Sequence, residues 1–298
     1  MTADSEISQR FFLVGVPRSG TSLLQALLAS HTQITSFTES HFFSRPYAFL
    51  PLMGAVLRRD PAQQVFGFLN ENQLSLGAAA QWFEPPAPFF LRFSASRTLA
   101  SSMVARRLID VLDEAAQERA SPCWLEKTPR HLHAIALIQK ACGARAKPQF
   151  IHLIRGGLPT VTSLYRASPQ WQSPLSLDAC AGRWNQDLAL SLRYAGKPNH
   201  HVIRYEDLTE DPERVLRQLL HALQLNWSPE ILNRYGQTAR ALRASGEHWK
   251  QGTERPITPA DTSQEVLDAC QRQRVEAQLQ QPLYDALSRH AIGASRRA

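Results

Sequence analysis

The chain has 298 residues, enough for one large domain or two small ones, and its 43 % hydrophobic and 20 % charged content is ordinary for a globular protein. Its net charge of +7 is moderate and its arginines are spread along the chain, so neither a basic tail nor a nucleic-acid-binding stripe is indicated. A moderate positive field suits an anionic substrate or cofactor.

Targeting and membrane signals are not recognisable in the sequence. The first strand is expected within about ten residues of Met1, which leaves no room for a signal peptide. No apolar run approaches the ~20 residues of a membrane span. The 4 cysteines form no C-x-x-C pair, so neither a zinc site nor a disulfide framework is suggested. We therefore expect a reduced, cytoplasmic protein.

An apolar run at residues 11–16 and the turn after it predict a strand, a glycine-bearing loop and a helix over 21–30. Such a loop aims backbone N–H groups and a helix N-terminus at one point, where a phosphate group binds. The spacing is nearly that of a Walker A loop, but Thr21 stands at the lysine position and Arg18 supplies the cation. An ordinary strand–helix turn is the alternative.

Further along the chain, short apolar runs alternate with segments of helical character. The other expected strands span 33–37 (or an extended turn), 123–127, 149–154 and 201–205. The other expected helices span 99–119, 131–141, 159–166, 177–194 and 212–223. Alternation of this kind predicts an α/β fold, with a parallel central sheet covered by helices on both faces, similar to P-loop NTPases.

Two segments differ from this pattern. Residues 45–122 are rich in proline and aromatic residues and predict a mostly helical insertion, which either forms a wall for an acceptor or merely packs on the sheet. Residues 230–298 predict a helical C-terminal segment. We expect all of 1–298 to form a single domain.

Cationic and hydroxyl side chains follow four of the predicted strands. In chain order these are Arg18, Ser19, Thr21 and Ser22, then Lys127 and Thr128, then Arg155 with Ser163 on the next helix, then Tyr205 beside Glu206. Ligands of parallel sheets bind at the carboxyl ends of the strands. Residue 155, where a magnesium-dependent phosphotransferase would need a carboxylate, is arginine. The pattern predicts a metal-free site for a cofactor with two separate phosphate groups.

These motifs resemble those of PAPS-dependent sulfotransferases. Residues 17–24 resemble the family's 5′-phosphosulfate loop, and Arg155 with Ser163 resembles its 3′-phosphate motif. The segment 204–208 is similar to the one that follows in the family. The resemblance is greatest to the branch that includes tyrosylprotein sulfotransferases and many bacterial members. It covers roughly residues 11–42 and 123–226.

The resemblance implies that PAPS is the co-substrate, PAP the product, and no metal is needed. The residues that it assigns to the 5′-phosphosulfate are Pro17, Arg18, Ser19, Gly20, Thr21 and Ser22. Arg155 and Ser163 would bind the 3′-phosphate, and Tyr205 the nucleotide. Arg18 and Lys127 would stabilise developing charge, with Lys127 near the bridging oxygen. Glu39 would act as the general base.

Two positions depart from the family pattern. Gly156 and Gly157 stand where Asp-Pro is usual. The C-terminal Arg-Lys-Gly is absent, and its candidate replacement is the segment Trp249, Lys250, Gln251, Gly252 and Thr253.

Each catalytic candidate also has a purely structural interpretation. Glu39 could balance a helix dipole, and Lys127 could simply pair with Glu126 or another carboxylate. His31 and His41 compete for the role of base.

Two other functions are kept as alternatives: a P-loop-type small-molecule kinase, and a nucleotide-binding module without turnover. The acceptor is not identified by the sequence and could be a sugar, lipid, peptide or small molecule with a hydroxyl or amine. The aromatic residues around Trp82 and Phe89 hint at an apolar acceptor. A homodimer is left open.

Overall fold

The computed structural model describes residues 6–50, 54–84, 97–143, 147–171, 173–243, 252–258 and 266–293. The strands within these ranges are β1 (Gln9–Gly15), β2 (Ile34–Ser36), β3 (Tyr47–Leu50), β4 (Gly54–Leu57), β5 (Cys123–Lys127), β6 (Gln149–Ile154) and β7 (His200–Arg204). The helices are α1 (Thr21–Ala29), α2 (Ala62–Glu71), α3 (Ala78–Gln81), α4 (Arg97–Glu118), α5 (Ile135–Cys142), α6 (Gly157–Ala167), α7 (Leu177–Leu192), α8 (Tyr205–Glu210), α9 (Pro212–Ala222), α10 (Glu230–Ala241), α11 (Ala269–Gln278) and α12 (Gln281–Ser288).

Strand β1 lies at the centre of a parallel sheet whose order is β2-β5-β1-β6-β7. Its residue Leu13 is in register with Lys127 of β5 on one side and with Ile151 of β6 on the other. Because all these strands run the same way, the residues that follow β1, β5, β6 and β7 meet at one edge of the sheet. The predicted parallel sheet is therefore confirmed.

Alternating side chains of β1 pack into two separate cores, as expected of a strand buried on both faces. Phe12 packs against Trp124 and Phe150, with ring centroids 5.2 and 5.5 Å apart, in the core that α4 and α5 cover. Phe11 and Leu13 face the opposite core, which α1 and the apolar stripe of α9 cover. Helices therefore lie on both faces of the sheet, as predicted.

The insertion is mostly helical, with α2, α3 and α4, but it also contains an antiparallel hairpin of β3 and β4 that the sequence did not predict. Ser101 of α4 ties the hairpin down: its carbonyl accepts from the Tyr47 hydroxyl at 3.0 Å and its Oγ accepts from the Leu57 N–H at 2.9 Å. Strands of four residues are too short for a clear alternation of polar and apolar residues.

Two element starts also differ from prediction. A 3-10 helix at Pro129–Ala134 precedes α5, in place of one continuous helix from 131. Tyr205 begins α8 and does not end β7. No helix in the described ranges is long and apolar enough to cross a membrane.

Candidate active site

The loop after β1 needs its two glycines for different physical reasons. At Gly15 (φ 150°) a Cβ would lie 2.4 Å from the carbonyl oxygen of Leu153, so only glycine allows β1 and β6 to approach this closely. At Gly20 (φ 102°), the residue before α1, a Cβ would lie 2.3 Å from the ring of Tyr205. The loop and Tyr205 therefore touch only because residue 20 has no side chain.

The loop side chains point in different directions. Arg18 adopts a left-handed conformation (φ 72°), and its Nε donates to Ser163 Oγ at 3.4 Å. Ser19 is fully buried, and its hydroxyl donates to the Leu153 carbonyl at 3.3 Å. Thr21 and Ser22 open α1 and line the same cavity as Arg18. The Ser19 hydroxyl thus supports the loop from inside the fold.

Arg155 and Ser163, which the sequence pairs by spacing, lie close to the loop. The Arg155 guanidinium carbon lies 4.4 Å from the centroid of the Tyr205 ring, a cation–π geometry. The indole N–H of Trp184 donates to the Arg155 carbonyl at 3.0 Å and fixes the backbone there. Since Arg18 reaches Ser163, the two predicted anion motifs converge on one region.

The carboxylate of Glu206, which follows β7, contacts the backbone at Gly156, where the sequence departs from the family pattern. The Gly156 N–H donates to Glu206 Oε1 at 2.8 Å, and the Tyr284 hydroxyl donates to Glu206 Oε2 at 2.6 Å. Burial and the neighbouring Glu206 charge raise the pKa of Tyr284, so its hydroxyl stays protonated and donates. Glu206 thereby links the C-terminal helix α12 to the backbone next to Arg155.

Glu39 and Lys127 form a close contact at the cavity wall. Lys127 Nζ donates to Glu39 Oε1 at 2.5 Å, and the exposed fractions of the two side chains are 2 % for Lys127 and 18 % for Glu39. Glu39 lines the cavity. His41 Nε2 lies 3.8 Å from Glu39 Oε2. Lys127 therefore pairs with Glu39, the predicted base.

Glu126, the partner considered first for Lys127, is fully buried and has a structural task. Its carboxylate accepts from the Ser40 N–H and hydroxyl at 3.3 and 2.8 Å, from the Thr128 hydroxyl at 2.6 Å and from His131 Nδ1 at 2.7 Å. Burial alone would raise the pKa of Glu126, but His131 and these hydrogen-bond donors lower it. The anchored Ser40 holds the neighbouring Glu39 in place.

The two histidines that compete with Glu39 have different positions. His31 is buried, with Nε2 at 2.9 Å from the Asn226 carbonyl and Nδ1 accepting from the Gln33 N–H at 3.2 Å. His41 lines the cavity, where burial lowers its pKa to about 4. At neutral pH His41 is uncharged beside Glu39.

These residues surround one cavity of about 1310 Å³ at the carboxyl edge of the sheet. The predicted site residues that line it are Pro17, Arg18, Gly20, Thr21, Ser22, Glu39, Arg155, Ser163 and Tyr205. Ser19 and Lys127 are buried behind its wall. Trp249 and Lys250, like Phe89, lie outside the described residues. Trp82 packs against Phe83, with ring centroids 4.9 Å apart.

Sequence reasoning missed most of the cavity's positive charge. The other arginines that line it are Arg45, Arg130, Arg166, Arg183 and Arg255, and its only acidic residues in the described ranges are Glu39 and Glu71. These five arginines belong to no motif, and the one available signal was that Arg130 follows the polar turn after β5. Among the described residues, no group of three potential metal ligands is assembled.

The comparison with protein families identifies the class of the chain. The sequence model of the sulfotransferase family matches residues 10–229, well over half of the chain. The chain therefore belongs to the sulfotransferase family, which confirms the resemblance seen in its motifs.

Two curated relatives are similar to the chain at low identity. An uncharacterized protein of Aquifex aeolicus is 23 % identical over 279 residues, which cover 83 % of this chain and 31 % of that protein. The protein-tyrosine sulfotransferase of Drosophila melanogaster is 23 % identical over 231 residues, which cover 74 % of this chain and 39 % of that protein. The chain thus spans only about a third of the length of these relatives.

Solved structures share the fold. The sulfotransferase domain from the curacin biosynthetic pathway superposes with a TM-score of 0.55 at 20 % identity and covers 92 % of this chain and 98 % of that domain. Mouse sulfotransferase SULT7A1, solved in complex with PAP, has a TM-score of 0.52 at 12 % identity and covers 97 % of this chain and 92 % of the mouse chain. The fold is that of sulfotransferases, as predicted.

Proposed function

We propose that this protein transfers the sulfuryl group of PAPS to a hydroxyl or amine of an acceptor, by in-line displacement, with Glu39 as general base. The observation that carries the proposal is the 2.5 Å contact between Glu39 and Lys127 at the wall of an arginine-lined cavity. Membership of the sulfotransferase family supports sulfuryl transfer as the type of reaction.

The residues present fit a nucleotide with two separate phosphate groups. Gly20 allows the loop to contact the Tyr205 ring, since a Cβ at residue 20 would lie 2.3 Å from that ring. Arg155 lies over the Tyr205 ring, and the Arg18–Ser163 contact of 3.4 Å brings the two anion motifs together. The neighbour from mouse, whose structure contains PAP, supports this choice of nucleotide.

PAPS, when bound, supplies the sulfuryl group and a phosphate leaving group. Transfer of this kind resembles phosphoryl transfer, where catalysis is mostly positioning and stabilisation of developing charge. Arg18 and Lys127 supply the positive charge for that purpose. Glu39 accepts the proton of the attacking hydroxyl or amine, a contribution of about 10² to 10⁴ in rate.

The role of Glu39 is tested with labelled PAPS and a panel of acceptors. Glu39→Gln keeps the shape and removes the base, so we expect a loss of about 10² to 10⁴ in transfer rate with PAP affinity within a few-fold of wild type. Glu71→Gln, which changes the other carboxylate of the cavity, should cost less than about tenfold. Equal rates in wild type and Glu39→Gln would refute the assignment.

The nucleotide site is tested by calorimetric titration with PAP. Arg155→Ala should weaken binding by about 1 to 3 kcal/mol, the range of a hydrogen bond to a charged group. The matched control is Arg193→Ala, an exposed position at the end of α7. Magnesium-dependent ATP consumption would favour the kinase alternative. Tight PAP binding without transfer to any acceptor would favour the binding module.

A further inference from the structure

The 3-10 helix after β5 and helix α7 place two arginines side by side at the cavity wall. His133 Nε2 and Asp187 Oδ1 lie 2.8 Å apart and tie the two helices together. Arg130 precedes His133 by three residues and Arg183 precedes Asp187 by four, so each arginine lies about one turn from this contact. Both arginines line the cavity.

This pair of like charges has no salt-bridged carboxylate among the residues that the structure describes. Neither Arg130 nor Arg183 forms a salt bridge with any residue in the described ranges. Burial, and then the charge of Arg130, lower the pKa of Arg183, and the charge of Asp187 offsets only part of this, so the fold tolerates a repulsion here. Two neighbouring guanidinium groups that are not salt-bridged to a carboxylate suit a bound anion, because their planar forks match phosphate and carboxylate oxygens.

Arg130 connects the pair to the Glu39 contact through the chain. Arg130 is three residues beyond Lys127, which holds Glu39. Arg45 adds a third cation near Glu39. Its backbone N–H donates to the His41 carbonyl at 3.1 Å, and its charge helps to lower the pKa of His41. The two predicted anion motifs meet around Ser163 and the Tyr205 ring.

We propose that Arg130, Arg183 and Arg45, here called the arginine trio, bind an anionic group of the acceptor and so place its hydroxyl or amine at Glu39. This inference rests on the proposed function and names the acceptor class: a small molecule that carries its own phosphate, sulfate or carboxylate. Among the described residues, seven arginines line the cavity and Lys127 lies behind its wall, against Glu39 and Glu71, so a cofactor with roughly four negative charges leaves a net positive charge. The trio remains as charge for a second anion.

The test uses inorganic phosphate as the probe. Phosphate is titrated into PAP-saturated protein at constant ionic strength, and we expect the double variant Arg130→Gln/Arg183→Gln to bind it at least about tenfold more weakly than wild type. Arg59→Gln, an exposed arginine after β4, is the matched control and should bind as wild type does. Unchanged phosphate affinity in the double variant would overturn the inference.

Turnover gives a second measure, which can contradict the role of the trio even when sulfuryl transfer itself is observed. Where 4-hydroxyphenylacetate is an acceptor, its kcat/KM should exceed that of the neutral 4-hydroxyphenylacetamide by at least about tenfold in wild type, and by much less in the double variant. Equal values in wild type would contradict the trio while leaving sulfuryl transfer intact. If PAP does not bind, the proposed function fails, and the phosphate titration repeated without PAP still decides the arginine site.

Discussion

The two sides of the cavity are built in different ways. On the loop side, which comprises Arg18, Gly20, Arg155, Ser163 and Tyr205, backbone shape decides the arrangement, since two glycines and a left-handed arginine allow strand, ring and loop to touch. On the side of the arginine trio, charge is gathered from a turn, a 3-10 helix and the face of α7. Binding residues are commonly carried by loops on a rigid scaffold, and the loop side adds close backbone approaches to that scaffold.

Lys127 contacts Glu39, and among the changes compared below its loss should have the largest effect. Lys127→Met keeps the apolar stem of the side chain but removes its cation. That cation contacts Glu39 and, in the proposed reaction, stabilises the developing negative charge. We expect kcat to fall by about 10² to 10³, the range for loss of one stabilising donor. Steady-state kinetics with labelled PAPS measures this fall.

Lys140→Met, at an exposed position of α5, is the control and should leave kcat unchanged. A folded Lys127→Met enzyme with kcat within about threefold of wild type would show that Lys127 merely pairs with Glu39.

Gly20→Ala tests whether backbone shape governs the loop side. The new Cβ would collide with Tyr205 at a φ of 102°, so we expect a loss of about 1 to 3 kcal/mol in the free energy of unfolding together with weaker PAP binding. Gly67→Ala in α2 is the matched control, because nothing lies within 4 Å of its Cβ. It should be neutral or stabilise by about 0.5 to 1 kcal/mol. Denaturant titration that gives equal stability for both variants would refute the close contact between the loop and Tyr205.

The sequence predicted the loop side well because its features are local. The apolar run before the loop, the spacing of Arg155 and Ser163, and the extent of β6 (149–154) all depend on residues close in sequence. The same reasoning recovered the parallel sheet, because alternating strands and helices leave few topologies.

Contacts between distant segments were beyond sequence reasoning. Tyr284 and Glu206 are 78 residues apart in the sequence, and no sequence motif indicates their hydrogen bond. The arginine trio is assembled only when the 3-10 helix and α7 come together through His133 and Asp187. Scattered arginines that belong to no periodic pattern and no glycine-containing motif cannot be recognised as one site from a single sequence.

Tyr284→Phe tests how far the loop side depends on the C-terminal helix. Removing the hydroxyl leaves Glu206 without its 2.6 Å donor, so we expect about 1 to 2 kcal/mol less stability and a few-fold weaker PAP binding through the backbone beside Arg155. Tyr165→Phe, on the adjacent α6, is the control and should stay within about 0.5 kcal/mol of wild type. Wild-type PAP affinity in Tyr284→Phe would limit Glu206 to a structural role.

The smallest expected effect at pH 7 concerns His41, on the trio side. Its pKa is about 4 in the folded protein, mainly because of burial, and about 6.5 in an unfolded chain. Between these values the unfolded chain binds more protons, so stability is fully present above pH 6.5 and falls as the pH decreases toward 4. The contribution of one histidine is at most about 1.4 kcal/mol per pH unit.

His41→Asn removes the titrating imidazole and with it this pH dependence. Asparagine tolerates the left-handed backbone (φ 54°) at this position. Denaturation at pH 7, 6 and 5 should therefore give a shallower loss of stability in the variant than in wild type. Glu39 is the proposed base, so the variant should also keep most of its transfer rate at pH 7. Parallel stability curves would mean that His41 is protonated as readily in the folded protein as in the unfolded chain. A loss of about 10² or more in rate would move the role of base from Glu39 to His41.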